Sequence, residues 1–234
     1  MRTRPGTPAT RRRHPSTWAA PVVLAAISTA LTFAARDDGP FPGEVGLTLW
    51  MHRNTPGPVD AIGGLLDPLL TDLTAPAVLT AVVLLTWWRW GRHAAIMICA
   101  SGALTALTRI GDLVQRPRPT PSGAWSSYRY GNGGYPSGHV IFTVLVLGTV
   151  VVLARRYSTS AAARLITSVV GLLVAVMVWT RVSRLEHWPL DVIGGLTMAT
   201  SVLCVMARLV ATGPGATRSP PDTTRTRVRW EVSG

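Results

Sequence analysis

Long apolar stretches separated by arginine-rich connections constrain this chain more than any other feature of its sequence. They lie at about 18–35, 73–90, 93–110, 138–154, 162–179 and 190–211. A helix needs about 20 residues to cross the hydrocarbon core of a bilayer, and each stretch approaches that length. Charged residues make up only 15% of the 234-residue chain, against 47% apolar residues, which is typical of polytopic membrane proteins. The sequence therefore predicts an all-α bundle of six transmembrane helices.

The arginines predict which side of the membrane each end of the bundle faces. Both chain tails and the turns at 89–92 and 155–164 are rich in arginine, and all four fall on one side if six helices alternate. Cytoplasmic connections carry an excess of positive charge, so that side is expected to be cytoplasmic. The opposite side then carries 36–72, 111–137 and 180–189. We expect a multi-pass protein of the plasma membrane.

Outside the apolar stretches the chain divides into tails and loops. Residues 1–17 and 212–234 are predicted to be disordered cytoplasmic tails, flanking a membrane domain at 18–211. A signal peptide is the alternative interpretation of the first apolar stretch, but that stretch is long and only a weak cleavage site follows it. Residues 36–60 are rich in Gly and Pro and are expected to form a loop. Residues 60–72 are too short and too acidic to span, which favours an interfacial or re-entrant segment.

The net charge of +12 raises the alternative of nucleic-acid binding. Many arginines lie beside the apolar stretches, as positive-inside charges do, so no nucleic-acid partner is expected. Cys99 and Cys204 both lie in apolar stretches and are interpreted as small buried hydrophobic residues, with no disulfide framework. The sequence carries no signal of oligomeric state.

Three separated segments supply polar side chains to the predicted extracytoplasmic face. They read RIGDLVQRP at 109–117, PSGH at 136–139 and TRVSRLEHWPLD at 180–191. Ionisable residues in or near membrane segments are candidates for function. Arginine holds phosphate oxygens in a planar fork, so this combination of arginines, histidines and a carboxylate indicates phosphate chemistry.

These segments resemble the three motifs of the type 2 phosphatidic acid phosphatase family, K-x6-RP, PSGH and SR-x5-H-x3-D. The resemblance covers about 70–210 and implies a membrane phosphatase bundle. Two positions differ: Arg109 stands where the family has lysine, and Thr180 stands where it has serine while keeping a hydroxyl. Ser183-Arg184 looks like the serine-arginine pair, but Arg181 is the arginine at the correct spacing. Arg184 is therefore given no catalytic role.

The resemblance implies a role for each matching residue. His187 is the expected nucleophile, giving a phosphohistidine, and Asp191 accepts its other ring N–H. His139 protonates the leaving oxygen. Pro189 places His187 just before the last helix. The residues expected to bind the phosphoryl oxygens are Arg109, Arg116, Ser137, Gly138 and Arg181.

The PSGH segment also predicts an anion site from physical chemistry alone. Glycines and a proline end a loop before it, and a helix is expected to begin near Ser137 or Gly138. The first turn of a helix presents free N–H groups to an anion, and a glycine lets the backbone approach it closely.

The resemblance implies no metal and no cofactor. Two histidines and an aspartate could instead form a metal site, but the surrounding arginines would repel a cation. Asp60, Asp67 and Asp72 are expected to face solvent or lipid headgroups, and His14, His52 and His93 are interpreted as incidental.

The expected partners are the bilayer and a lipid phosphate substrate. A polyprenyl diphosphate, such as the undecaprenyl carrier of cell-wall synthesis, is the first candidate; phosphatidic acid or phosphatidylglycerol phosphate is the second. The alternative function is a catalytically silent lipid-phosphate binder or transporter with the same fold. Such a binder would not need the complete set of His139, His187 and Asp191.

Overall fold

The computed structural model describes residues 18–36, 39–71, 73–112, 114, 116–125 and 134–212, apart from the side chains of 109–112 and 212. The predicted disordered tails lie outside these residues, except for position 212. Helices dominate the described chain, which has one isolated β-bridge, between Pro119 and Trp125. The helices are α1 Ala19–Ala34, α2 Glu44–Arg53, α3 Gly57–Leu66, α4 Ala75–Trp90, α5 Arg92–Leu104, α6 Gly138–Tyr157, α7 Ser160–Ser183 and α8 Pro189–Thr212.

The predicted all-α fold is confirmed, with one helix at each of the six apolar stretches. Within the described residues α6, α7 and α8 are each long and apolar enough to span a bilayer. A fourth span arises if α3, its 3₁₀ extension Asp67–Leu70 and α4 are counted together, across a bend of 91°. Helix α1 has 16 residues. Six spans therefore remain a prediction, while six helices at the predicted places are observed.

The predicted loop at 36–60 is wrong, because this segment contains α2 and the start of α3. Helix α2 packs on α7, where the rings of Trp50 and Trp179 meet edge to face at 6.0 Å. Trp179 Nε1 donates to Thr55 Oγ1 at 3.1 Å, and His52 Nδ1 lies 2.7 Å from the Ser183 carbonyl oxygen. These contacts join residues far apart in the chain, so the polar composition of the segment does not reveal them.

The largest buried cluster lies between α6, α7 and α8. It includes Ile141 and Leu145 from α6, Met177 from α7 and Ala199 from α8. Outward-facing apolar side chains are left exposed, among them Leu165 and Leu172 on α7. A large exposed apolar surface marks a membrane or protein contact, and here it lies on a helix long enough to span.

The helices place the three motifs at one end of the bundle and the arginine-rich turns at the other. Helix α6 begins at Gly138 and runs to Tyr157, and α7 returns from Ser160 to Ser183. At 1.5 Å per residue, a helix of 20 residues is about 30 Å long. Arg155 and Arg164 therefore lie about 25 Å along their helices from Gly138 and Arg181.

Candidate active site

Backbone and side-chain hydrogen bonds bring the three motifs together. The Ser137 N–H donates to the Asp191 carbonyl oxygen at 3.1 Å, which joins the second motif to the third. Trp188 is buried, and its Nε1–H donates to the Pro117 carbonyl oxygen at 2.8 Å. The Gly134 N–H donates to the Arg116 carbonyl oxygen at 2.7 Å. These hydrogen bonds hold the first and second motifs against the start of α8.

Two glycines in α8 make room for the loop that precedes α6. A Cβ atom added to Gly194 would lie 2.4 Å from Tyr135 Cε2, and one added to Gly195 would lie 3.0 Å from the Ser137 carbonyl oxygen. Tyr135 is fully buried, and its hydroxyl lies 3.0 Å from Thr32 Oγ1 of α1. The close approach of loop and helix sets the position of Ser137.

His187 lies between α7 and α8, two residues before Pro189 begins α8, as predicted. Its ring is buried, and Nδ1 lies 2.6 Å from the Gly134 carbonyl oxygen. Because a carbonyl oxygen can only accept, Nδ1 carries the proton and Nε2 keeps a lone pair. Burial lowers the pKa of His187 well below 6.5, and the charges of Arg181 and Arg118 lower it further. The ring is therefore neutral near pH 7.

The expected hydrogen bond from His187 to Asp191 is not the one in the structure. Asp191 Oδ2 lies 3.9 Å from Nδ1 and instead accepts from the Trp188 N–H at 2.7 Å. An acidic side chain in the first turn commonly reaches back to the N–H just before its helix. Asp191 Oδ1 accepts from Arg116 at 2.7 Å. The Gly134 carbonyl oxygen therefore accepts the hydrogen bond from the His187 ring that the family resemblance assigned to Asp191.

Arg116 also differs from its expected role in binding phosphate. Its side chain is fully buried and forms ion pairs with Asp191 and Glu44. Its Nε and Nη2 each lie 3.3 Å from the Gly39 carbonyl oxygen. Glu44 further accepts from the Leu190 N–H at 2.8 Å. Because these partners enclose the guanidinium, Arg116 ties α2 to the start of α8.

Arg118, which was given no site role from the sequence, lies beside His187 instead. Its side chain is 39% exposed, and Nη1 donates to Glu186 Oε2 at 2.7 Å. Arg181 Nη2 lies 3.4 Å from the same oxygen, so the two guanidiniums face one carboxylate. The RPRP sequence could have indicated a second candidate arginine, because it contains both Arg116 and Arg118 and only Arg116 has the family spacing.

Several buried polar atoms around this cluster have no hydrogen-bond partner among the described residues. They include Nε of Arg118, Nε of Arg181 and Oγ of Ser137. Leaving a buried donor unpaired is costly, so natural sites usually supply it with a ligand, an ion or water. These atoms could all donate to an anion.

His139 lies in the first turn of α6, and the predicted helix start at Ser137 or Gly138 is confirmed, with Ser137 as the N-cap. His139 Nε2 lies 3.3 Å from Asp67 Oδ1 and 3.4 Å from the Asp67 carbonyl oxygen. Gly138 lies close to Thr108, since an added Cβ would be 3.2 Å from Thr108 Cγ2. Arg109 lies in a 3₁₀ helix, Thr105–Asp112, and its side chain is outside the described part of the chain.

Two of the three aspartates expected to face solvent or headgroups have cationic partners. Asp67 forms an ion pair with Arg181 as well as with His139, and Asp60 pairs with Arg184 at 2.8 Å. Asp72 lies outside the described residues. The Thr180 hydroxyl donates to the Val176 carbonyl oxygen at 2.8 Å, which is a hydrogen bond within its own helix. Among the side chains that the structure describes, no cluster of three His, Cys, Asp or Glu residues could hold a metal ion.

Comparisons with known proteins identify the family and the fold of the chain. The model of the PAP2 superfamily matches residues 90–213, more than half of the chain, and this range contains all three motifs. The fold is similar to the crystal structure of the first transmembrane PAP2 type phosphatidylglycerolphosphate phosphatase from Bacillus subtilis, with a TM-score of 0.67 and 14% identity. That similarity covers 82% of this chain and 96% of the other. No curated protein sequence matches significantly. The chain belongs to the PAP2 superfamily of type 2 phosphatidic acid phosphatases.

Proposed function

We propose that the protein is a membrane phosphatase that removes phosphate from a lipid through a phosphohistidine on His187. The observation that carries the proposal is the hydrogen bonding of the His187 ring, which determines which ring nitrogen carries the proton. Its Nδ1–H is held by the Gly134 carbonyl, and Nε2 keeps a lone pair beside two arginines that have unpaired N–H groups. A neutral imidazole next to cations that can hold an anion is suited to attack phosphorus.

In the first step Nε2 of His187 attacks phosphorus, a P–N bond forms and the P–O bond to the lipid breaks. The bonding electron pair leaves with the lipid oxygen, and His139, as the imidazolium, gives that oxygen a proton. The lipid product is an alcohol if the substrate is a monoester, or a lipid monophosphate if it is a diphosphate. The Asp191 carboxylate, 3.9 Å from Nδ1, favours the positive charge that the His187 ring acquires.

In the second step a water molecule attacks the phosphohistidine, and the now neutral His139 accepts its proton. The P–N bond breaks, its electron pair returns to Nε2 of His187, and inorganic phosphate leaves. Both histidines then have their starting protonation states, so the cycle is closed.

Arg118 and Arg181 hold the phosphoryl oxygens in this proposal, together with Ser137 and the Gly138 N–H at the start of α6. Charged donors fixed before the reaction stabilise the transition state without having to reorganise. Arg118 replaces Arg116 in this role, since Arg116 is enclosed by carboxylates. Arg109 stays a predicted phosphate ligand on the basis of the family motif.

The substrate is a lipid phosphate whose tail remains in the bilayer while its headgroup reaches the motif end of the bundle. A polyprenyl diphosphate is the first candidate, and phosphatidic acid or phosphatidylglycerol phosphate is the second; the motifs fit the phosphate headgroup that all of them share. The site faces the extracytoplasmic side of the plasma membrane in this proposal, since the arginine-rich turns lie at the opposite end.

Phosphate release from purified protein in detergent tests the enzyme against the silent binder. The protein should release inorganic phosphate from at least one lipid in a panel of these three classes. EDTA should leave the rate unchanged, since arginines carry the phosphoryl charge, and His187→Ala should abolish it. Binding of the lipids without turnover would favour the binder or transporter.

A further inference from the structure

Helix α3 and its 3₁₀ extension dock on the last turn of α7, close to the proposed site. A Cβ atom added to Gly63 would lie 2.4 Å from Thr180 Cγ2, so the two helices touch at that glycine. One turn away, Arg184 Nη2 donates to both the side chain and the carbonyl oxygen of Asp60, each at 2.8 Å. These contacts fix the segment that carries Asp67.

The Asp67 carboxylate reaches two groups of the proposed reaction at once. Oδ1 accepts from Nη1 of Arg181 and lies 3.3 Å from Nε2 of His139. The side chain is one third exposed, whereas the Arg181 side chain is buried. A carboxylate thus lies beside His139, the proposed general acid, on a segment that none of the three motifs includes.

We propose that Asp67 makes the enzyme select a lipid phosphomonoester over a lipid diphosphate. The inference rests on the proposed function, in which His139 protonates the leaving oxygen. Asp67 acts through His139 and through its own charge, as a positioning and specificity-determining residue.

The first reason is the proton that a monoester needs. When the P–O bond of a monoester breaks, the leaving group is an alkoxide, which must be protonated to depart easily. A carboxylate beside an imidazole favours the protonated ring, as in catalytic triads. Asp67 therefore favours the imidazolium form of His139 in the step in which a monoester gains most from a proton.

The second reason is the charge of a diphosphate. Its leaving group is a lipid monophosphate, which departs as an anion and gains little from an added proton. That anion would form beside the Asp67 carboxylate, and like charges at short range repel. The same carboxylate therefore assists one leaving group and opposes the other.

The third reason is the balance of charge in the described part of the site. The guanidiniums of Arg118 and Arg181 both already have carboxylate partners, Asp67 and Glu186, which offset part of their positive charge. A diphosphate carries more negative charge than a monophosphate and needs more cations to offset it. These three reasons favour a lipid phosphomonoester over the polyprenyl diphosphate that was the first candidate.

Asp67→Asn tests the inference, with Asp60→Asn as its matched control. Both carboxylates lie on the same segment, but Asp60 pairs with Arg184 and is 57% exposed. The substrates are a prenyl monophosphate and the prenyl diphosphate with the same tail, each in detergent. The readout is the ratio of kcat/KM for monophosphate to that for diphosphate, because a merely structural defect would lower both values alike.

We expect the wild type to prefer the monophosphate and Asp67→Asn to lower the ratio at least about tenfold, since general acids typically contribute about 10²–10⁴-fold. Asp60→Asn keeps the backbone carbonyl that accepts from Arg184 and leaves the contact of Gly63 with Thr180 intact, so the segment should stay in place and the ratio unchanged. A wild-type preference for the diphosphate, or an unchanged ratio in Asp67→Asn, would overturn the inference while leaving the phosphatase itself intact. Failure of the wild type to hydrolyse either substrate would instead count against the proposed function.

Discussion

Two arginines only two residues apart, Arg116 and Arg118, have opposite surroundings. Arg116 has the family spacing, yet it is buried between Glu44 and Asp191. Arg118 lies outside that spacing, yet it is partly exposed and close enough to lower the pKa of His187. The spacing of a family motif identifies a candidate arginine, but the burial and ion-pair partners of each arginine determine its role.

Replacing each arginine separates a structural role from one in binding phosphate. Arg116→Ala leaves two carboxylates buried without their partner, and breaking such a pair typically costs about 3–5 kcal/mol. We expect Arg116→Ala to lower thermal stability strongly in detergent. Arg118→Ala should unfold near the wild-type temperature but lose most phosphatase activity. Normal stability together with low activity in Arg116→Ala would restore the phosphate-binding role that the motif implied.

The pH dependence of turnover reports on the His187 ring. Protonation removes the Nε2 lone pair, and the pKa of His187 is lowered, so the neutral ring persists as the pH falls below 6.5. The loss of kcat/KM due to His187 should therefore occur below pH 6.5. The Arg118 charge contributes to this lowering, so Arg118→Gln should shift the acid limb to higher pH. The substrate's own ionisation is common to both proteins, and an acid limb at the same pH in both would contradict this reasoning.

At the scale of helices, the apolar stretches predicted where helices lie because burial in lipid or protein leaves a local pattern. Helix α2 and the start of α3, at 36–60, were missed because their stabilising contacts are not local. Glu44 pairs with Arg116, 72 residues away, and Trp179 bonds to Thr55, 124 residues away. The same limit applied to the site. Pro189 predicted that His187 lies before the last helix, whereas the hydrogen bond of His187 to the Gly134 carbonyl depends on the packing of a distant loop on α8.

That packing depends on Gly194, where any side chain would meet the buried Tyr135 ring. Overpacking of this kind typically costs about 1–3 kcal/mol. We expect Gly194→Ala to lower the melting temperature and the phosphatase rate together, because the displaced loop carries Gly134 and Ser137. Gly171→Ala is the matched control, since a Cβ there meets nothing within 4 Å, and it should keep both properties. Equal melting temperatures and rates for the two variants would show that the loop does not rest on α8.

At the scale of the whole molecule, the site and the arginine-rich turns occupy opposite ends of the bundle. This separation gives a topology prediction in cells. With the two native cysteines removed, a cysteine at Ser122 should react with a membrane-impermeant thiol reagent in intact cells. A cysteine at Ser158, in the turn between α6 and α7, should react only after lysis. The reverse labelling pattern would place the active site in the cytoplasm.

Detection of a covalent phosphoenzyme tests whether His187 is the nucleophile. Purified protein is mixed with a lipid phosphate labelled in its terminal phosphoryl group and quenched within one turnover under alkaline conditions, where phosphohistidine survives. We expect a phosphoryl group on the peptide that contains His187, absent in His187→Ala and present, though formed slowly, in His139→Ala. Label retained in His187→Ala and lost in His139→Ala would exchange the roles of the two histidines. Turnover by the wild type without any phosphohistidine would contradict the account.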